Sequence, residues 1–249
     1  MTRISHVRPI CPCRLERLRF RVALTSCVRS LFLCRCSGVS GCFCVSSATF
    51  VAMNIEQLTT LRNMLDAIAV STPHADVARY ATEIARFIAT TPRAWSRTTL
   101  EGHLTASAWV LDRTRSHAAL IHHRKLNRWL QPGGHVEDLD ASWRAAALRE
   151  VTEETGLQRF IPQADDAKLF DVDVHAIPAR PNEPAHFHYD LRFLFVVDVD
   201  ASVASPDSAL LINAKETHDC RWFALTELLN DSSLDASVRR MIELTIRSH

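Results

Sequence analysis

Three glutamates, Glu150, Glu153 and Glu154, stand one helical turn apart with no lysine beside them. On a helix of 3.6 residues per turn they project within an arc of about 100°. Leu148, Val151 and Thr155 fall on the other side, where a helix buries itself. Carboxylates three and four apart repel by roughly 0.2–0.5 kcal/mol per pair, and the macrodipole at a helix C-terminus disfavours anions further. A cost of this kind points to a bound cation. Mg2+ and Mn2+ take oxygen ligands from a few carboxylates and complete their shell with waters and substrate phosphates, so the spacing suggests a site that handles phosphate. Spacing alone is equally compatible with a solvated face paired to arginine.

The stretch from Gly134 to Leu157, GHVEDLDASWRAAALREVTEETGL, resembles the box of the Nudix family, G-x5-E-x7-R-E-U-x-E-E-x-G-U, with U a bulky aliphatic residue. Its ending, Arg149 to Leu157, matches at every specified position. Its start departs: counted from Gly134, the acidic position is Asp140 rather than Glu, and eight residues instead of seven separate it from Arg149. Loops absorb an added residue more readily than helix interiors, so the loop or first turn should lengthen while the glutamates keep register. Asp140 reads either as the helix N-cap or as a catalytic carboxylate. Gly156 reads as a left-handed C-cap, Gly133 and Gly134 as a tight turn, and Arg149 as the residue that orients a neighbouring carboxylate.

The resemblance implies an α/β fold, a Nudix-type α/β/α sandwich with a mixed β-sheet, over roughly Leu104 to Leu229. It also implies Mg2+-dependent hydrolysis of a nucleoside diphosphate linked to another moiety. Glu150, Glu153 and Glu154 would hold Mg2+ (or Mn2+), and a carboxylate would take the proton from water, Glu154 or Glu216 ahead of Asp140. Glu216, six residues before Trp222, matches the place where many members supply a further acidic group; it reads equally as a loop carboxylate paired with Lys215 or Arg221. A rival sharing the fold, an isopentenyl diphosphate isomerase, needs a cysteine before the box, whereas Cys220 is the sole cysteine after Met53. The other alternative is a non-catalytic nucleotide-binding sensor, which would be expected to lack the box glutamates.

Outside the box, His123, Arg124, Lys125 and Arg128 lead into the Pro132-Gly133-Gly134 turn, from where one of them could donate to a substrate phosphate. With Gly134, they are the substrate-contact candidates before the box. In His186-Phe187-His188-Tyr189-Asp190-Leu191-Arg192-Phe193, period-two alternation places His186, His188, Asp190 and Arg192 on one face. That face either lines the substrate pocket with His175 or faces solvent. The window after the box that carries substrate markers in some subfamilies holds Val172, Asp173 and Val174, so no substrate is assigned.

Composition places the chain among ordinary globular proteins, with 249 residues and 47 % hydrophobic content. The net charge of +1 conceals an asymmetry: eight arginines against the single acid Glu16 in residues 1–50 leave −6 for the remainder. Without a broad positive surface, a nucleic-acid polymer is not expected as partner; a small phosphorylated substrate is. Seven of the eight cysteines also lie before residue 45, in Cys-x-Cys pairs that lack the spacing and histidines of common zinc modules. We expect residues 1–52 to be disordered or extraneous, with translation starting at Met53 and a cytoplasmic location. A genuine Arg-rich transit peptide would instead imply mitochondria. Apolar runs are too short to span a membrane.

Apolar spacing predicts helices over residues 54–70 and 75–89, a hairpin (residues 53–95) that either packs on the sheet or serves as a homodimer contact or lid. The resemblance implies a Nudix domain over residues 100–249. Its expected strands are 103–111, 118–123, 128–130, 169–177, 188–199 and 219–223, with helices at 142–155, 226–229 and 235–246.

Overall fold

The computed structural model describes residues 47–165, 167–181, 183–203, 210–211 and 217–248, with side chains from residue 56 onward. Residues 1–46 and Glu216 therefore lie outside the described residues. Helix α1 (Ser47–Ser71) starts seven residues earlier than the apolar spacing predicts and runs through Met53. It stops before Pro73, since proline disfavours the helical conformation in the residue preceding it. Helix α2 (Ala75–Thr90) returns antiparallel, ending before Pro92. Leu61, Leu65 and Ile68 meet Val77, Ala81 and Ile84, all buried.

The eight strands described form one mixed sheet: β1 (Gly102–Leu111), β2 (His117–His123), β3 (Arg128–Leu130), β4 (Gly133–His135), β5 (Phe160–Ile161), β6 (Asp171–Ile177), β7 (His186–Val197) and β8 (Thr217–Ala224). At its centre β1 and β7 run parallel in unbroken register from Gly102↔Phe187 to Leu111↔Val196. The outer edge of β1 is shared by β4 at one end and β2 at the other, and that of β7 by β6 and β5. Two elements differ from expectation. The Gly133-Gly134 turn is a short strand, because without side chains it can lie directly against Ser107 of β1. The two-residue β5 is too short to leave a periodic signal in the sequence.

Helices cover both faces. Box helix α3 (Trp143–Thr155) joins the hairpin over Leu104, Ala106, Ala108 and Val110, in one shared apolar interior. Helices α4 (Leu225–Asn230) and α5 (Ala236–Arg247) cover Trp109, Leu111, Ala118 and Leu120 on the other face. Phe87 of α2 stacks on Tyr189 of β7 with centroids 4.1 Å apart, so the hairpin packs on the sheet. Among the described residues no helix is long and apolar enough to cross a membrane.

Candidate active site and an imidazole cluster

Ser142, not Asp140, caps α3: its side chain accepts from Ala145 N–H, and Gly156 closes the helix in the left-handed conformation at φ 71°. Asp140 is drawn instead to Arg149, which donates to both carboxylate oxygens at 3.0 Å, while Glu137 N–H donates to the same group. Arg149 also donates to Glu150 Oε1 at 2.8 Å and to the carbonyl of His135 at 2.9 Å. The hydrogen bonds to Asp140, and then the charge of Glu150, raise the pKa of an already basic guanidinium, so Arg149 is a permanent cation tying loop to helix.

The three glutamates occupy different surroundings. Glu150 and Glu154 are buried, at 7 % and 3 % exposure, beside Val151 and Thr155. Glu153 points outward with its side chain 54 % exposed, 3.7 Å from Arg149. Glu154 Oε2 accepts the Gly133 N–H at 2.9 Å. The Glu150 carboxylate fills the space above Gly134, where an added Cβ would stand 2.7 Å from it. Cys220 of β8 lies near the same group: burial, then the charges of Glu154 and Asp219, push its thiol up to about 12. It is thus a protonated, buried residue and not a reactive thiol.

The hairpin holds the lengthened loop before α3. Gln57 of α1 donates to the Ala141 carbonyl at 3.0 Å, and Trp143 returns a bond to the Gln57 carbonyl at 3.1 Å. After α2, Trp95 donates to Asp138 at 2.8 Å and Arg93 pairs with it at 3.1 Å.

His123, Arg124 and Arg128 sit around the β2–β3 turn. The His123 ring accepts the backbone N–H groups of Lys125 and Leu126, Arg124 is exposed, and Arg128 lies 3.6 Å from Asp235.

The polar face of β7 does not look onto solvent. Arg192, 2 % exposed, contacts Asp190 at 2.9 Å and Asp171 at 3.0 Å, and Arg240 of α5 reaches Asp171 at 2.8 Å and Asp173 at 3.0 Å. Thr105 and Ser107 of β1 donate to Asp190. Buried charges survive only when paired and hydrogen-bonded, and here α5 completes the set. Burial raises the Asp173 carboxyl, but the hydrogen bond from His175 and the charges of Arg192 and Arg240 hold it well below the usual range.

At the other end of the same face the sheet gathers imidazoles. His103 of β1 stands directly across from His188 of β7, and His188 across from His175 of β6. His135 and His186 complete the group, with ring centroids 4.8–5.0 Å from His103 for His188, His135 and His186. Burial, followed by neighbouring charges, lowers His103 to about 4 and His135 to about 3. These rings are neutral at pH 7. His103 and His135 are absent from the sequence reading; the polar alternation His103, Thr105, Ser107 within an apolar strand was the available signal.

A mixed sheet between helical layers, with a carboxylate-bearing helix beneath a Gly-Gly strand, defines an α/β protein built around that helix. Residues 102–244 match the NUDIX domain model, and the chain belongs to this family. Solved structures of similar fold include a NUDIX family hydrolase from Clostridium perfringens (20 % identity, 59 % of this chain and 98 % of that one, TM-score 0.42). A MutT protein from Methanosarcina mazei Go1 gives 20 % identity, 60 % and 96 % coverage and a TM-score of 0.40. The NUDIX domain of Shewanella oneidensis NrtR, solved with ADP ribose, gives 17 % identity, 66 % and 97 % coverage and a TM-score of 0.42. No curated protein matches the chain.

Proposed function

We propose that this protein is a Mg2+-dependent hydrolase that cleaves a pyrophosphate bond in a nucleoside diphosphate linked to another moiety. The observation that carries the reading is the pair of buried carboxylates, Glu150 seated over Gly134 and Glu154 on the Gly133 N–H. The glycine leaves a cradle that any side chain would fill, and hard oxygen donors suit Mg2+ or Mn2+. Glu150 and Glu154 would hold the ion, with Glu153 approaching from the solvent side. When bound, Mg2+ neutralises diphosphate charge and acidifies the attacking water.

The protein's own groups do the rest. Arg149 fixes the Glu150 carboxylate through Oε1 and ties it to Asp140, which makes Asp140 a positioning residue. The Gly133 N–H fixes one oxygen of Glu154 and sets the orientation of the other, which we assign as proton acceptor. Glu216 is the second candidate for that role. Arg124 and Lys125, exposed at the β2–β3 turn, are candidate phosphate donors.

The test is a screen of nucleotide sugars, dinucleotides, ADP-ribose, coenzyme A and nucleoside triphosphates with Mg2+, reading phosphate released after phosphatase treatment. Turnover abolished by Glu154→Gln supports the reading. Nucleotide binding by calorimetry without turnover of any compound would overturn it in favour of a sensor.

A further inference from the structure

His103 is 2 % exposed, and neither of its ring nitrogens has a hydrogen-bond partner. A buried imidazole so placed forgoes the hydrogen bonds it makes in water, and an unsatisfied group of this kind calls for an explanation. Its neighbours supply one. Among the described residues, one group of three metal-donor side chains converges: a nitrogen each from His103, His186 and His188, all within 4.8 Å of one another. The box glutamates form no such group.

The local chemistry fits a metal ion better than an anion. His186 Nδ1 lies 2.9 Å from the Pro184 carbonyl; as carbonyls only accept, that nitrogen carries the proton and Nε2 holds the lone pair. A ligand histidine is usually fixed by this kind of bond through its other nitrogen. His186 Nε2 then stands 3.2 Å from His188 Nε2, close to the ~3.3 Å that separates two nitrogens each about 2.0–2.1 Å from a tetrahedral Zn2+. Glu183 Oε1 lies 3.7 Å from His186 Nε2 and places a negative charge beside the site. Imidazole nitrogens are common ligands of zinc-class ions. The other two rings are engaged elsewhere, His135 with Arg97 at 2.8 Å and His175 with Asp173 at 3.2 Å.

We propose that His103, His186 and His188 form a second metal site, a three-imidazole centre for a zinc-class transition cation with a fourth position left for water or a substrate oxygen. Three nitrogen donors select such an ion over Mg2+. The centre is separate from the carboxylate site: on β4, Gly134 faces Glu150 while the next residue, His135, turns to the imidazoles, as successive strand positions do.

The full chain, purified without a histidine tag and stripped by a chelator, would be titrated with Co2+ in excess Mg2+, which occupies oxygen-donor sites. The expected result is one tightly bound Co2+ with the visible absorption of a tetrahedral nitrogen/oxygen site and no sulfur-to-cobalt band, displaced by Zn2+. His188→Gln and, separately, His186→Gln should weaken uptake by more than about 100-fold, beyond the usual cost of losing a supporting bond, with circular dichroism confirming that each variant folds. Absence of uptake by the wild type, a thiolate spectrum, or uptake unchanged in both variants would overturn the proposal. Because the readout needs no nucleotide, its failure is distinguishable from failure of the Mg2+-dependent hydrolysis.

Discussion

Trp95 donates its indole N–H to Asp138 at 2.8 Å across 43 residues of sequence. The bond joins the end of the helical hairpin to the loop between Gly134 and α3, in a segment that holds one residue more before Arg149 than the family pattern. An added residue would leave that loop loose; the hairpin takes up the slack through Trp95, Arg93 and Gln57.

Trp95→Phe should therefore loosen the loop and leave the sheet intact. Hydrogen bonds to charged groups contribute roughly 1.5–3 kcal/mol, and partial exposure of Asp138 puts the expected loss at the low end. Amide exchange over residues 137–142 should accelerate while β1 and β7 keep their protection. Unchanged exchange in that loop would show that the bond does not restrain it.

Glu154→Gln preserves shape and removes the charge. Loss of a positioned base lowers turnover by about 10²–10⁴-fold, and the neutral amide can still accept the Gly133 N–H, so the melting temperature should stay near that of the wild type. Wild-type turnover in this variant would dismiss Glu154 as the proton acceptor.

Gly133→Ala and Gly134→Ala should differ in kind. At Gly133, with φ +159°, a new Cβ would collide with Ser107 on β1, where backbone cannot yield, and folding should suffer. At Gly134 the new methyl meets the end of the Glu150 side chain at 2.7 Å, and that chain can swing aside. The expected outcome for Gly134→Ala is a folded protein with weakened Mg2+ binding, measurable by calorimetry; unaltered binding would remove Gly134 from the site.

Asp173 sets an acid limit on the fold. Its folded carboxyl titrates below the ordinary value, so its stabilisation is complete above pH ~4 and is lost as pH falls, because the unfolded chain takes up the proton first. Between about pH 4 and pH 2.5 the wild type should lose melting temperature more steeply than Asp173→Asn, which is already weakened at neutral pH. Parallel pH profiles would exclude this group as a source of acid sensitivity.

Much of this was legible in residue order. The box ending fixes α3 to within one residue because the apolar face and the C-terminal glycine agree, the helix ending at Thr155 before Gly156. The two prolines lie just past the ends of α1 and α2, while α1 begins seven residues before the predicted start. Less was visible wherever meaning depends on a distant partner. Asp140 looks like a cap until Arg149 is seen to claim it, and Ser142 was available two residues later. Alternation put His186, His188, Asp190 and Arg192 on one side of a strand, yet whether that side met water depended on Arg240 and Ser237 of α5, far along the chain. The imidazole cluster draws on β1 and β7, whose parallel register no local pattern encodes.

The apolar interior shared by hairpin and sheet has a practical corollary. Leu61, Leu65, Val77 and Ile84 are essentially inaccessible to solvent, and their neighbours include residues of the matched segment 102–244. Trimming the gene to that segment would strip an oily flank bare and invite clumping, so any expression design meant to yield a well-behaved protein must retain both leading helices.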